Sequence, residues 1–154
     1  MVRILMVCLG NICRSPMAEG IMKAKLRERG IDAEVDSCGT SDWHQGELPD
    51  KRAILTMSQK GIDITDQRSR PIQASDLDSW DHVFAMDHSN MTNIAAFAQS
   101  VGKASPAKLM LSLTPNAITD EVPDPYFGME NGFEIVYGLL SDACDVFIEK
   151  HLEA

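Results

Sequence analysis

Val7-Cys8-Leu9-Gly10-Asn11-Ile12-Cys13-Arg14-Ser15-Pro16 is the stretch from which the rest of the chain is read. The apolar run before it, from Val2 to Val7, has the length of a buried strand. Ser15 and Pro16 then read as a helix start, with Ser as N-cap and Pro at the first helical position. A loop between a strand and a helix N-terminus turns its backbone N–H groups toward one point and makes a site for an oxyanion. Cys8 and Arg14 bracket that loop, and the local positive potential favours the thiolate of Cys8. Gly10 and Asn11 are residue types that tolerate positive φ, as a loop wrapped tightly around an anion requires. The spacing C-x5-R is weak alone; the strand before it and the Gly-Asn-Ser-Pro setting make it informative. No G-K-[ST] follows, so a Walker-type phosphate loop is excluded. A nucleophile beside an anion cradle points to phosphoryl transfer through a phosphocysteine.

Outward from this loop, apolar runs of strand length occur at 2–8, 33–38, 81–86 and 107–113. Segments of helical period alternate with them at 15–29, 48–60, 88–101 and 131–152. Ala18, Ile21, Met22 and Leu26 share one face of the first helix. Phe133, Tyr137, Leu140, Cys144, Phe147 and Leu152 share one face of the last. The expected fold is α/β: three layers, a four-stranded parallel sheet with helices on both faces, flavodoxin-like or Rossmann-like. Such sheets bind ligands at the carboxyl ends of their strands, where the phosphate loop follows the first. Two long irregular stretches, 37–47 and 114–130, are expected to border the pocket.

Bulk properties narrow the classes. At 154 residues, 44% hydrophobic and 24% charged, the chain reads as one domain over 1–154 with a proper core. No run approaches the roughly 20 apolar residues of a membrane helix, and Met1-Val2-Arg3 leads into a strand rather than a signal peptide. A net charge of −9 argues against nucleic-acid or anionic-membrane partners. It also implies that phosphate attraction is local, from the loop and Arg14. Four cysteines are too few for a disulfide scaffold, and none has zinc-like spacing. Cys38 and Cys144 read as small buried hydrophobes. No metal and no cofactor is expected, and the location expected is the cytoplasm.

Expulsion of an alkoxide or phenoxide from phosphorus needs a proton donor. Asp124 is the leading candidate, because Pro123 and Pro125 stiffen the backbone on either side of it. Burial and the nearby thiolate would both favour its protonated form. The residues alone leave Asp120, Glu121, Asp36, Asp66 and Asp87 open as alternatives. Asp87 also suits an N-cap before the third helix. His44, His82, His88 and His151 show no ligand spacing and read as surface or loop residues.

The loop resembles the signature of the low-molecular-weight protein tyrosine phosphatases. The likeness continues through Val35-Asp36-Ser37, Ser41-Asp42-Trp43, Pro49-Asp50, Arg68, Met86-Asp87-His88-Ser89-Asn90 and Asp124-Pro125-Tyr126. It implies a cysteine-dependent protein tyrosine phosphatase that also takes small aryl phosphates. Cys8 would be the nucleophile, Arg14 the phosphate clamp and Asp124 the acid. Leu9, Gly10, Asn11, Ile12, Cys13, Arg14 and Ser15 would bind phosphate, sulfate or vanadate. Asn11, Ser15 and Ser37 would support the loop, Ser15 by donating to the thiolate. Ile12, Trp43 and Tyr126 would wall the substrate ring; Trp43 also lies in a polar loop with few apolar neighbours. Cys13 would be a redox partner of Cys8. Ile12 stands where phosphoarginine-directed members carry Thr, which implies a preference for phosphotyrosine. Phe127 stands where many relatives have a second Tyr, and Asp66 where vertebrate relatives have His. The expected state is a monomer or weak dimer. Two other readings use the same loop: an arsenate reductase, which in thioredoxin-coupled relatives needs two more cysteines near 80–90, and a phosphopeptide or sulfate receptor without turnover.

Overall fold

The structure is a computed structural model and describes residues 1–114, 119–126 and 131–153. The expected three-layer arrangement is present. Strand β1 (Val2–Cys8) lies between β2 (Ala33–Gly39) and β3 (His82–Ala85), with β4 (Ala107–Leu109) beyond β3. All three pairings are parallel. Strand alternation divides β1 between two cores. Ile4, Met6 and Cys8 face the layer of α1 (Arg14–Glu28) and α4 (Gly132–His151), whereas Leu5 and Val7 face α3 (His88–Ser100). These five residues are at most 2% exposed, as expected of a parallel strand covered on both faces. Helix α2 (Lys51–Gln59) adds Ala53 and Met57 to the first core.

Helix α1 starts at Arg14, one residue before the expected cap, with Cys13 in the cap position. Ser15 therefore caps nothing; its hydroxyl serves the loop instead. Pro16 sits at the third helical position, still within the first turn, where the missing N–H costs no intrahelical bond. Helix α2 begins at Lys51 rather than 48, because Asp50 caps it by accepting from the Arg52 amide at 2.8 Å. The fourth strand is shorter than expected, and Met110–Leu113 form a 3-10 turn. Met110 and Leu111 are consecutive yet enter the same core, which a strand cannot arrange. His82 is half-buried at the start of β3, with its ring edge-on to Phe147 at 4.8 Å, so it is no loop residue.

Candidate active site

Cys8 closes β1, and the six residues after it turn back to start α1. The turn is tight because Asn11 takes φ 56°, a left-handed conformation that Asn accepts better than most residues. Gly10 does not have positive φ. Its bare backbone serves packing: a Cβ there would lie 3.0 Å from Cδ2 of His44. Gly39, at the end of β2, is the more demanding glycine, since a Cβ would meet the Leu9 carbonyl oxygen at 2.7 Å. The β2 end also ties the loop directly, through the Thr40 amide to the Cys8 carbonyl and the Ser41 amide to the Leu9 carbonyl. Gly39 passed unnoticed in the sequence because its role is absence of a side chain.

Beneath the loop lies a buried polar chain. Asn11 Nδ2 donates to Ser15 Oγ at 2.8 Å and to Ser37 Oγ at 2.9 Å, while its Oδ1 accepts from the Arg70 amide at 3.1 Å. The Arg70 contact fixes which end of the amide is which. Ser15 Oγ therefore accepts from Asn11, and its one hydrogen has two acceptors in reach, Cys8 Sγ at 3.0 Å and, at the longer 3.5 Å, the Cys38 carbonyl. The support expected of Asn11, Ser15 and Ser37 corresponds to these contacts. Glu19, unremarked in the sequence, accepts from Ser37 Oγ at 2.7 Å and from Lys23 at 2.6 Å. Asp66, the departure from vertebrate relatives, is exposed and makes no contact in this chain of hydrogen bonds.

Arg14 is 3% exposed and is aimed by its acceptors. It donates to Asp87 Oδ2 at 2.7 Å and to the Val122 carbonyl at 2.9 Å. Its other terminal nitrogen is 3.7 Å from Asp124 Oδ2. Burial works against the guanidinium charge, but Cys8, Asp87 and Asp124 outweigh it and push the pKa further up. Asp87 does cap α3, accepting from the Asn90 amide at 2.7 Å, and its second oxygen holds Arg14. The N-cap expectation described only half of this residue.

Asp124 stands at the cleft mouth with 39% of its side chain exposed, so the expected burial is not found. Its Oδ1 accepts from the Tyr126 amide, a local turn that holds the carboxyl toward Arg14. Cys8, Leu9, Gly10, Ile12, Cys13, Arg14, Trp43, His44, Asp124 and Tyr126 together line a cavity of about 100 Å³. Both irregular stretches reach it, the first through Trp43 and His44, the second through Asp124 and Tyr126. Phe127 lies outside the described residues. Trp43 is 73% exposed and is no part of the core. His44 was read as a plain loop residue, yet it lines the cavity, with its ring 6.4 Å from that of Tyr126 and Nδ1 2.5 Å from Glu47.

Cys13 is 4% exposed, and burial, helped by Asp50, Cys8 and Asp124, pushes its thiol far above the ordinary range. Burial likewise pushes Cys144 up to about 12. Two cysteine thiols thus line the cavity. Among the described residues Arg14 is its one lysine or arginine, beside the carboxyl of Asp124 and the rings of Trp43, His44 and Tyr126.

Known proteins resemble this chain over nearly its whole length. The family profile described as low molecular weight phosphotyrosine protein phosphatase matches residues 3–154. A low molecular weight phosphotyrosine protein phosphatase of Schizosaccharomyces pombe is 38% identical over 97% of this chain and 96% of its own. Among solved structures, a protein tyrosine phosphatase from Entamoeba histolytica with Hepes in the active site superposes with a TM-score of 0.89. It is 36% identical over 99% of this chain and 98% of its own. A Drosophila arginine phosphatase superposes with a TM-score of 0.90 and is 33% identical over 97% of each chain. The chain belongs to the low molecular weight phosphotyrosine protein phosphatase family of enzymes.

Proposed function

We propose that this chain hydrolyses phosphotyrosine on proteins, and small aryl phosphates, by two in-line transfers through a phosphocysteine on Cys8, without a metal. In the first transfer the Sγ–P bond forms as the P–O bond to the aryl group breaks, and Asp124 gives its proton to the departing oxygen. In the second, water attacks phosphorus, Asp124 takes a proton from it, and the S–P bond breaks to return the thiolate. Arg14 and the loop amides stabilise the charge on the equatorial oxygens, the main requirement of a loose phosphoryl-transfer transition state. Asp87 and the Val122 carbonyl hold Arg14 in advance, so little reorganisation accompanies the reaction.

The observation that carries this reading is that Cys8, Arg14 and Asp124 line one cavity of about 100 Å³ whose mouth carries Trp43 and Tyr126. Aromatic rings at the mouth suit an aryl leaving group. Segment 80–90 holds no cysteine, which leaves a thioredoxin-coupled arsenate reductase without its relay. The deciding experiment is p-nitrophenyl phosphate hydrolysis in EDTA. A burst of p-nitrophenol followed by steady turnover, both abolished in Cys8→Ser, is expected. Binding without turnover would make the chain a receptor, and loss of activity in EDTA would require a metal. The four cysteines are free thiols, consistent with action in the reducing cytoplasm. We read the enzyme as a monomer or weak dimer. Among the described residues no helix is long and apolar enough to cross a membrane.

A further inference from the structure

We infer that Lys23 and Glu19, which lie on α1 outside the cavity lining, are positioning residues that set the direction of the hydrogen-bond chain ending on Cys8. Five contacts run without interruption from the surface to the sulfur. They are Lys23 to Glu19 at 2.6 Å, Glu19 to Ser37 at 2.7 Å, Ser37 to Asn11 at 2.9 Å, Asn11 to Ser15 at 2.8 Å and Ser15 to Cys8 at 3.0 Å. Glu19, Ser37, Asn11 and Ser15 are each 4% exposed or less, so water cannot substitute for a lost partner.

Counting hydrogens orients the chain. A hydroxyl has one hydrogen. Asn11 Nδ2 has only donors, so both serine oxygens accept from it, and each serine must send its hydrogen elsewhere. Ser15 sends its hydrogen to the sulfur at 3.0 Å in preference to the Cys38 carbonyl at 3.5 Å, the edge of hydrogen-bond range. Ser37 can satisfy its hydrogen only on an acceptor, and the ionised carboxylate of Glu19 is that acceptor. Were Glu19 protonated and donating, Ser37 would face two donors with its own buried hydrogen unpaired. Asn11 sits at φ 56°, so it holds the loop only while its side chain is fully engaged. Burial pushes the Glu19 carboxyl up, and hydrogen bonds from Lys23 and Ser37 oppose that. The ammonium of Lys23 is what keeps a carboxylate at this depth. Its own side chain is 41% exposed along an open groove of about 380 Å³, so changing it opens no core.

The inference rests on the phosphatase reading of Cys8, and the experiment separates the two. Lys23→Met, Lys23→Arg, Glu19→Gln and Cys8→Ser are compared for kcat, KM and the pH midpoint of Cys8 alkylation by iodoacetate. Lys23→Met and Glu19→Gln are expected to lose about tenfold in kcat, the size of one charge-assisted hydrogen bond. KM should stay nearly constant, and the alkylation midpoint should move to higher pH. Lys23→Arg restores both quantities, because any cation at this distance holds the carboxylate. Thermal unfolding identifies a variant that fails merely by unfolding, and Lys23→Met carries the test if Glu19→Gln does so. A folded Lys23→Met with unchanged kcat and midpoint overturns the inference. Turnover by Cys8→Ser overturns the phosphatase reading instead.

Discussion

Asp124 meets Arg14 at 3.7 Å across the cleft mouth, and its proposed role as acid has a signature that no general weakening of binding would share. In Asp124→Ala, poor leaving groups should slow by about 100-fold or more, within the usual range for a positioned proton donor, and good ones much less. Equal losses across a series of aryl phosphates would assign the acid elsewhere. Ile12, 9% exposed at the cavity wall, is the residue we propose discriminates phosphotyrosine from phosphoarginine. Likeness along the whole chain to both a tyrosine and an arginine phosphatase does not decide it. Ile12→Thr should shift relative kcat/KM toward phosphoarginine, and an unchanged ratio would count against the residue. Cys13 shares the cavity with Cys8 and its burial disfavours the thiolate, so in the redox role proposed for it Cys13 would react with an already oxidised Cys8. Peroxide inactivation should therefore be reversed by dithiothreitol in wild type and much less in Cys13→Ser. Equal recovery would remove the disulfide role. At this scale the sequence was most legible where a residue carries its own chemistry, as Cys8, Arg14 and Asp124 do. Asp87, Glu19 and His44 were less legible because each acts through a partner distant in sequence.

The elements were readable from periodicity almost to their ends, because β1 is buried on both faces and α4 carries a clear apolar face. The misses have physical causes. The run Leu109-Met110-Leu111 fits strand or helix equally, and only burial of successive residues in one core reveals the 3-10 turn. Ser15 looked like a cap because the helix start and the thiol compete for the same hydroxyl, and the thiol has it. Gly39 belongs to this scale because it lets β2 approach the phosphate loop. Gly39→Ala places a methyl group 2.7 Å from the Leu9 carbonyl oxygen, which is backbone and cannot rotate away. The loop should shift and kcat/KM fall, with a stability loss of about 1–3 kcal/mol as in other overpacked sites. Unchanged kinetics and an unchanged urea midpoint would show that the loop has room to spare.

Across the molecule, a chain of net charge −9 surrounds the proposed phosphate loop with a few internal charge pairs rather than a positive surface. One of them braces the loop from behind. Arg70 gives its amide to Asn11 and its guanidinium to Asp76 and Asp36. Burial pushes the Asp76 carboxyl up, but hydrogen bonds from Arg70, the Gln73 amide and the Trp80 indole pull it further down, below the ordinary 3.8. A carboxyl lowered on folding stabilises the protein above its unfolded value and loses that contribution as pH falls through the folded one. Wild type should thus lose urea resistance below about pH 4, and Asp76→Asn should be weaker at pH 7 with a shallower acid decline. Parallel acid profiles would place the charge pair outside the stability of the fold. The central claim, covalent capture of phosphate by Cys8, is tested most directly by rapid quenching of wild type during turnover of a radiolabelled phosphotyrosine peptide. Label should appear on the Cys8 peptide within the burst and decay as substrate is exhausted. Steady turnover with no label on that peptide would contradict the account.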